Sequence, residues 1–142
     1  MRIVVDTNII FSALIGSGVT IPDIIIAPFN RFQFYASQYV FEELENNKGK
    51  LLKASKMSEE KIDIAISKLF EYIKIIPLEI IPQNIWLAAE VLTLDIDPDD
   101  ISFVALSIFL DAYLWTGDKV LYKGLVKKGF DRVIATSEMT KL

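Results

Sequence analysis

The sequence predicts an α/β fold, a parallel sheet of roughly five strands with helices on both faces. Two observations lead there. Short β-branched and aromatic runs alternate along the chain with longer segments of helical period. Parallel strands need crossovers, and helical crossovers cover both faces of the sheet. A third observation bounds the answer. The 142 residues contain no repeat, no low-complexity tract and no linker rich in Gly, Ser or Pro, so residues 1–142 are expected to form one domain.

The elements follow in order. Arg2 to Val5 is an apolar run of strand length. Asn8 to Ile15 has helical period and meets a stop at Gly16-Ser17-Gly18. Ile21 to Phe29 is a second helix with Pro22 near its first turn. Gln33 to Ala36 is a strand. Ser37 can cap the next helix, which carries Val40, Phe41 and Leu44 on one face and ends near Asn46-Asn47-Lys48-Gly49. Ser58-Glu59-Glu60-Lys61 opens a helix with Ile62, Ala65, Ile66 and Leu69 at helical spacing. Tyr72 to Ile76 is a strand stopped by Pro77. Pro82 to Leu94 is helical around Ile85, Ala88, Ala89 and Leu92. Pro98 starts a helix over Asp99 to Leu110. Tyr113 to Trp115 is a short strand, Asp118 to Lys127 a helix, and Arg132 to Ile134 the last strand.

Composition narrows the chemistry. The chain has no cysteine and no histidine, which excludes disulfides, thiolate catalysis, Cys/His zinc sites and imidazole proton shuttles. Carboxylates without imidazole suit hard cations such as Mg²⁺ or Mn²⁺. A net charge of −4 disfavours coating nucleic acid by bulk electrostatics, but not a nuclease whose acids hold metal. Hydrophobic residues make up 52% of the chain, so some apolar surface is expected to be covered by a partner or a second copy. Phe29, Phe32, Phe34 and Trp86 are assigned to the core before an interface. Asp111 interrupts the longest apolar run, and Asp6 falls where a signal peptide would be apolar. A cytoplasmic protein without membrane contact is expected.

The carboxylates carry the functional signal. In open α/β sheets the ligand site lies beyond the carboxyl ends of the strands. Asp6 ends the first strand there, and Asp118 follows the fourth through Thr116-Gly117, where Gly117 is expected to ease a sharp turn. Each acid alone also reads as a helix cap. Asp97-Pro98-Asp99-Asp100 crowds the start of a helix, where acids offset the helix dipole. Asp100 precedes an almost wholly apolar helix and is expected to point into a site at its N-terminal end. Glu43 borders the buried face of the helix after the second strand, with Glu42 as the alternative. Lys119, Lys123 and Lys127 recur every fourth residue. Lys119 and Lys123 are the nearer candidates for phosphate contact, while Lys127 and Lys128 fit a solvated face.

VVDTNII, an acid after the second strand, DPDDISFVALSIFL and WTGDKVL, in this order, resemble the PIN-domain family over essentially the whole chain. The resemblance implies a three-layer α/β/α sandwich and a Mg²⁺- or Mn²⁺-dependent ribonuclease acting on RNA. Many small prokaryotic members are toxins of toxin–antitoxin pairs, so an antitoxin protein and a homodimer are implied partners. By position, Asp6, Glu43, Asp100 and Asp118 would be the catalytic, metal-binding acids, with Asp97 and Asp99 as alternatives to Asp100. Asn8 and Thr116 would orient them. A non-catalytic RNA- or partner-binding module remains the rival. Receiver-like and haloacid-dehalogenase-like readings fit less well, because strand one offers only Asp6 and Asn8 stands where a phosphatase would want a second Asp.

Overall fold

The computed structural model describes residues 1–16, 20–27 and 31–142, apart from the side chain of Thr20. Its frame is a five-stranded sheet built from β1 (Arg2–Val5), β2 (Gln33–Ser37), β3 (Ile73–Ile76), β4 (Tyr113–Trp115) and β5 (Val133–Ile134). The order is β3-β2-β1-β4-β5, and every pairing is parallel. Chain order reverses at β1, so the crevice between the carboxyl ends of β1 and β4 is the topological switch point.

Both faces of the sheet are buried, which explains the unbroken apolar run of β1. Ile3 and Val5 face one core, and Val4, pointing the other way, faces the second. The first core is filled by α1 (Thr7–Ile15), α2 (Thr20–Ile25), α3 (Tyr39–Asn46), α4 (Lys48–Ser55) and α5 (Glu59–Leu69), through residues such as Ile10, Ile25, Val40, Leu51 and Ile62. The second is filled by α6 (Gln83–Thr93), α7 (Ile101–Leu110) and α8 (Lys119–Lys127), through Ala89, Val104, Leu106, Leu121 and Leu125. The short α9 (Thr136–Met139) returns Met139 to the first core. α7 carries five consecutive buried residues, Phe103 to Ser107, as expected of a helix enclosed between the sheet and α6.

Several expectations are refined. α2 ends at Ile25, short of Phe29, which lies outside the described residues together with Ser17 and Gly18 of the expected stop. Gly16 itself closes α1 in the left-handed conformation (φ 75°) that glycine adopts without strain. The chain after Asn47 does not stay irregular: it forms α4, anchored by the single buried side chain Leu51. The first turn before α7, Pro98–Asp100, is a 3₁₀ turn. Gly117 needs no left-handed conformation, and a Cβ there would lie 3.7 Å from Ile9 Cδ1, so glycine is not required for this turn. Phe34 is buried, and Phe32 and Trp86 pack at the edges of the two cores. Among the described residues, no helix is long and apolar enough to cross a membrane.

Candidate functional site

Asp6 is 3% exposed, an unusual place for a carboxylate, and two strands explain how it is held there. The Asp6 amide donates to the Trp115 carbonyl at 3.1 Å, extending the β1–β4 ladder past the end of β1. Its Oδ1 then accepts the Asn8 amide (3.1 Å), and its Oδ2 accepts the Thr116 hydroxyl (2.8 Å). The Thr116 oxygen in turn accepts the Asp118 amide at 3.1 Å. Thr116 thus links the loops after β1 and β4. Asp118 Oδ1 takes the amides of Val120 (2.9 Å) and Leu121 (3.1 Å). Both acids therefore cap helices, and the same geometry aims two helix N-termini at the crevice. Capping and site roles coexist, since each carboxylate has lone pairs to spare.

The other two acids come from opposite layers. Glu43, on α3, is half-buried, whereas Glu42 is exposed. Asp100 is half-buried at the entry to α7, whereas Asp97 and Asp99 are exposed, and Asp97 Oδ1 caps the turn through the Asp99 amide (3.0 Å). Burial pushes the Asp6 carboxyl up first; Thr116 and the Asn8 amide pull it down, and Asp118 pushes it up again. Burial also raises Glu43, with Thr7 opposing and the charges of Asp6 and Glu42 adding to it. Asp100 is pushed up to about 7, by burial first and then by Asp6, Asp97, Asp118 and Asp99. Asp6 is the common neighbour of this cluster: its charge acts on Glu43 and Asp100 and feels that of Asp118.

Nothing cationic among the described residues balances the four acids. The ion pairs of Lys48, Lys128 and Arg132 all go to other carboxylates. Asp100 Oδ2 is buried without a hydrogen-bond partner. Such an oxygen is costly unless something else satisfies it. Among the described residues, no group of three or more acids is gathered closely enough to hold a metal ion. The arrangement is an open crevice, which suits an ion that keeps much of its water and takes only one or two carboxylates directly.

Two neighbours of the acids differ from the expected ones. Asn8 supports Asp6 through its backbone, and its side chain is exposed. The buried polar neighbour is Thr7, whose hydroxyl pulls Glu43 down and has no other partner among the described residues. Because Asp6 caps α1, Thr7 becomes its first residue and turns inward; the Asp-Thr-Asn string alone does not reveal which of the two does so. Lys119 and Lys123 are exposed on the first turns of α8, and both line a cavity beside Asp118.

No curated protein matches the chain in sequence. Among solved structures, the fold is similar to that of a chain in the crystal structure of VapBC2 from Rickettsia felis bound to a DNA fragment from their promoter. The TM-score is 0.68 at 16% identity, over 95% of this chain and 97% of that one. At that identity the likeness speaks to the fold. The sequence model of the PIN domain matches residues 4–138, from inside β1 to α9 with all four acids included, and the chain therefore belongs to the PIN domain family.

Proposed function

We propose that the chain, acting as a single domain, is a metal-dependent ribonuclease that hydrolyses RNA phosphodiester bonds. One observation supports this reading: around the switch point the charge of Asp6 acts on Glu43 and Asp100 and feels that of Asp118, none of the four is in an ion pair among the described residues, and Asp100 Oδ2 is buried and unpartnered. PIN domains are generally nucleases, which supports it. Asp6, Asp100 and Asp118 would hold Mg²⁺ or Mn²⁺, directly or through water, with Glu43 completing the site. Such an ion supplies positive charge against the phosphoryl oxygen and makes water a stronger nucleophile at neutral pH.

The chain's own residues do the rest. Thr116 fixes the Asp6 carboxylate by donating to Oδ2 and ties it to the Asp118 loop. Asp118 is locked in one rotamer by the α8 amides. Asp100, pushed up to about 7, keeps its proton through the mildly acidic range, which limits the repulsion among the acids there while no cation is bound. Lys119 and Lys123 stand next to Asp118 and would neutralise the RNA backbone.

The likeness to a VapBC2 chain supports a role as the toxin of a toxin–antitoxin pair, with an antitoxin protein as partner. The exposed Leu87, Val91 and Leu94 on α6 and its end support a homodimer, and sedimentation velocity tests it. A cytoplasmic location is consistent with an RNA substrate. One competing reading is a module that binds RNA or a partner without cutting; it is favoured by the lack, among the described residues, of three acids gathered closely enough to hold an ion.

The test is cleavage of single-stranded and structured RNAs in Mn²⁺, Mg²⁺ or EDTA, with wild type and Asp6→Asn side by side. Cutting is expected only with metal, and Asp6→Asn should lose most of it. Equal activity of the two proteins, or cutting in EDTA, would overturn the assignment.

A further inference from the structure

A cavity of about 270 Å³ opens beside Asp118, between the loop after β4 and the start of α9. Thr116, Gly117 and Asp118, from the loop that follows β4 at the crevice, form part of its lining. Building on the ribonuclease reading, we infer that this cavity is a subsite for one unpaired nucleotide of the RNA, adjacent to the scissile phosphate.

The walls and rim match that occupant. The volume lies just below the range of drug-sized pockets, which suits a single planar heterocycle rather than a longer segment. The Tyr122 ring stands on one side, and Gly117 and Ala135 leave the space beside it free of bulk. The Glu138 carboxylate lies near enough to the Tyr122 hydroxyl to raise its pKa, and Glu138 Oε1 accepts the Ala135 amide at 3.0 Å. An aromatic ring in a cavity wall can serve as a platform for base stacking. Hydroxyls at the far end can read a base edge. Thr136 Oγ1 accepts from Trp115 Nε1 (3.0 Å), which orients the Thr136 oxygen, and Ser137 is exposed beside it. The rim carries Lys119 and Lys123, so the cavity favours an anion-bearing ligand over the basic side chain of a protein partner.

The placement also has a consequence for RNA structure. A base inside a duplex is stacked and paired and cannot enter such a cavity without being extruded. The subsite therefore selects unpaired RNA and discriminates among bases at one position flanking the cut.

Ser137→Trp fills the cavity from an exposed position on α9, and Lys123→Glu reverses charge on its rim without altering its floor. Binding of fluorescein-labelled single-stranded hexaribonucleotides, one homopolymer per base, is measured by anisotropy in EDTA. Wild type should bind with a preference among bases. Ser137→Trp should bind roughly tenfold more weakly and lose the preference. Lys123→Glu should weaken all four alike and reduce the salt slope by about 1. Unchanged affinity and preference in Ser137→Trp, or no binding by wild type, would overturn the subsite and leave the cavity to a partner's side chain. Cleavage in Mn²⁺ is read in parallel with Asp6→Asn. Metal-dependent cutting with unaltered site choice in Ser137→Trp removes the subsite and keeps the nuclease. Base-selective binding without any cutting removes the nuclease and keeps the subsite.

Discussion

Asp100→Asn should stabilise the metal-free protein above neutral pH and leave it unchanged in acid. The Asp100 carboxyl rises from its ordinary 3.8 to about 7 on folding, chiefly through burial and then through Asp6, Asp97, Asp118 and Asp99. At about 1.4 kcal/mol per pKa unit, that displacement bounds the cost of the ionised group at about 4 kcal/mol. The group is only half-buried and solvent screens part of the repulsion, so about 2 kcal/mol is the working figure. The sign follows from proton uptake. Below pH 4 both folded and unfolded chains hold the proton, and there is no penalty. Between pH 4 and 7 the unfolded chain has lost it while the folded chain keeps it, so stability falls as pH rises. Above pH 7 both are ionised and the penalty is complete. Asn, isosteric and neutral, avoids it throughout. For a chain of this size, the gain corresponds to a Tm increase of roughly 6–8 °C at pH 8 in EDTA. Differential scanning fluorimetry across pH 4 to 8 measures it directly. Saturating Mn²⁺ should shrink or reverse the difference, because the cation stabilises only the protein that offers the carboxylate. Equal melting of the two proteins at pH 8 in EDTA, or a gap independent of pH, would refute the argument.

Three further substitutions probe the cluster and its supports. Thr116→Val keeps the shape but removes the donor to Asp6 Oδ2, leaving a buried oxygen unsatisfied; urea unfolding at pH 7 should show a loss of about 1–3 kcal/mol. Glu43→Gln should lower metal affinity or activity by roughly 10- to 100-fold, while Glu42→Gln, altering an exposed side chain, should stay near wild type in the same cleavage assay.

The parts that were legible in the sequence are those governed by local periodicity and by strand-end geometry. The continuous apolar run before Asp6 marked β1 as doubly buried, and Asp6 and Asp118 followed strands whose carboxyl ends must share one rim. Glu43 and Asp100 stand out as candidates because each borders an apolar helix face, although their neighbours compete for the role. Burial separates them: Glu42, Asp97 and Asp99 point to solvent, and only the fold decides which way a helix is rotated against the sheet. α4 escaped notice because its amphipathic signal is a single anchored leucine, Leu51, among lysines and a glycine; packing against α1 supplies what periodicity lacks.

The sequence by itself determined the class of fold, the family resemblance and the exclusion of imidazole and thiol chemistry. The tertiary structure decided the relay from Asp118 through Thr116 to Asp6, the inward turn of Thr7 instead of Asn8, the elevated proton affinity of Asp100 and the cavity beside Tyr122. Thr116 and Asp6 are 110 residues apart in the chain yet 2.8 Å apart in space. Distances of that kind arise from which strands lie side by side, and no local pattern of residues encodes them.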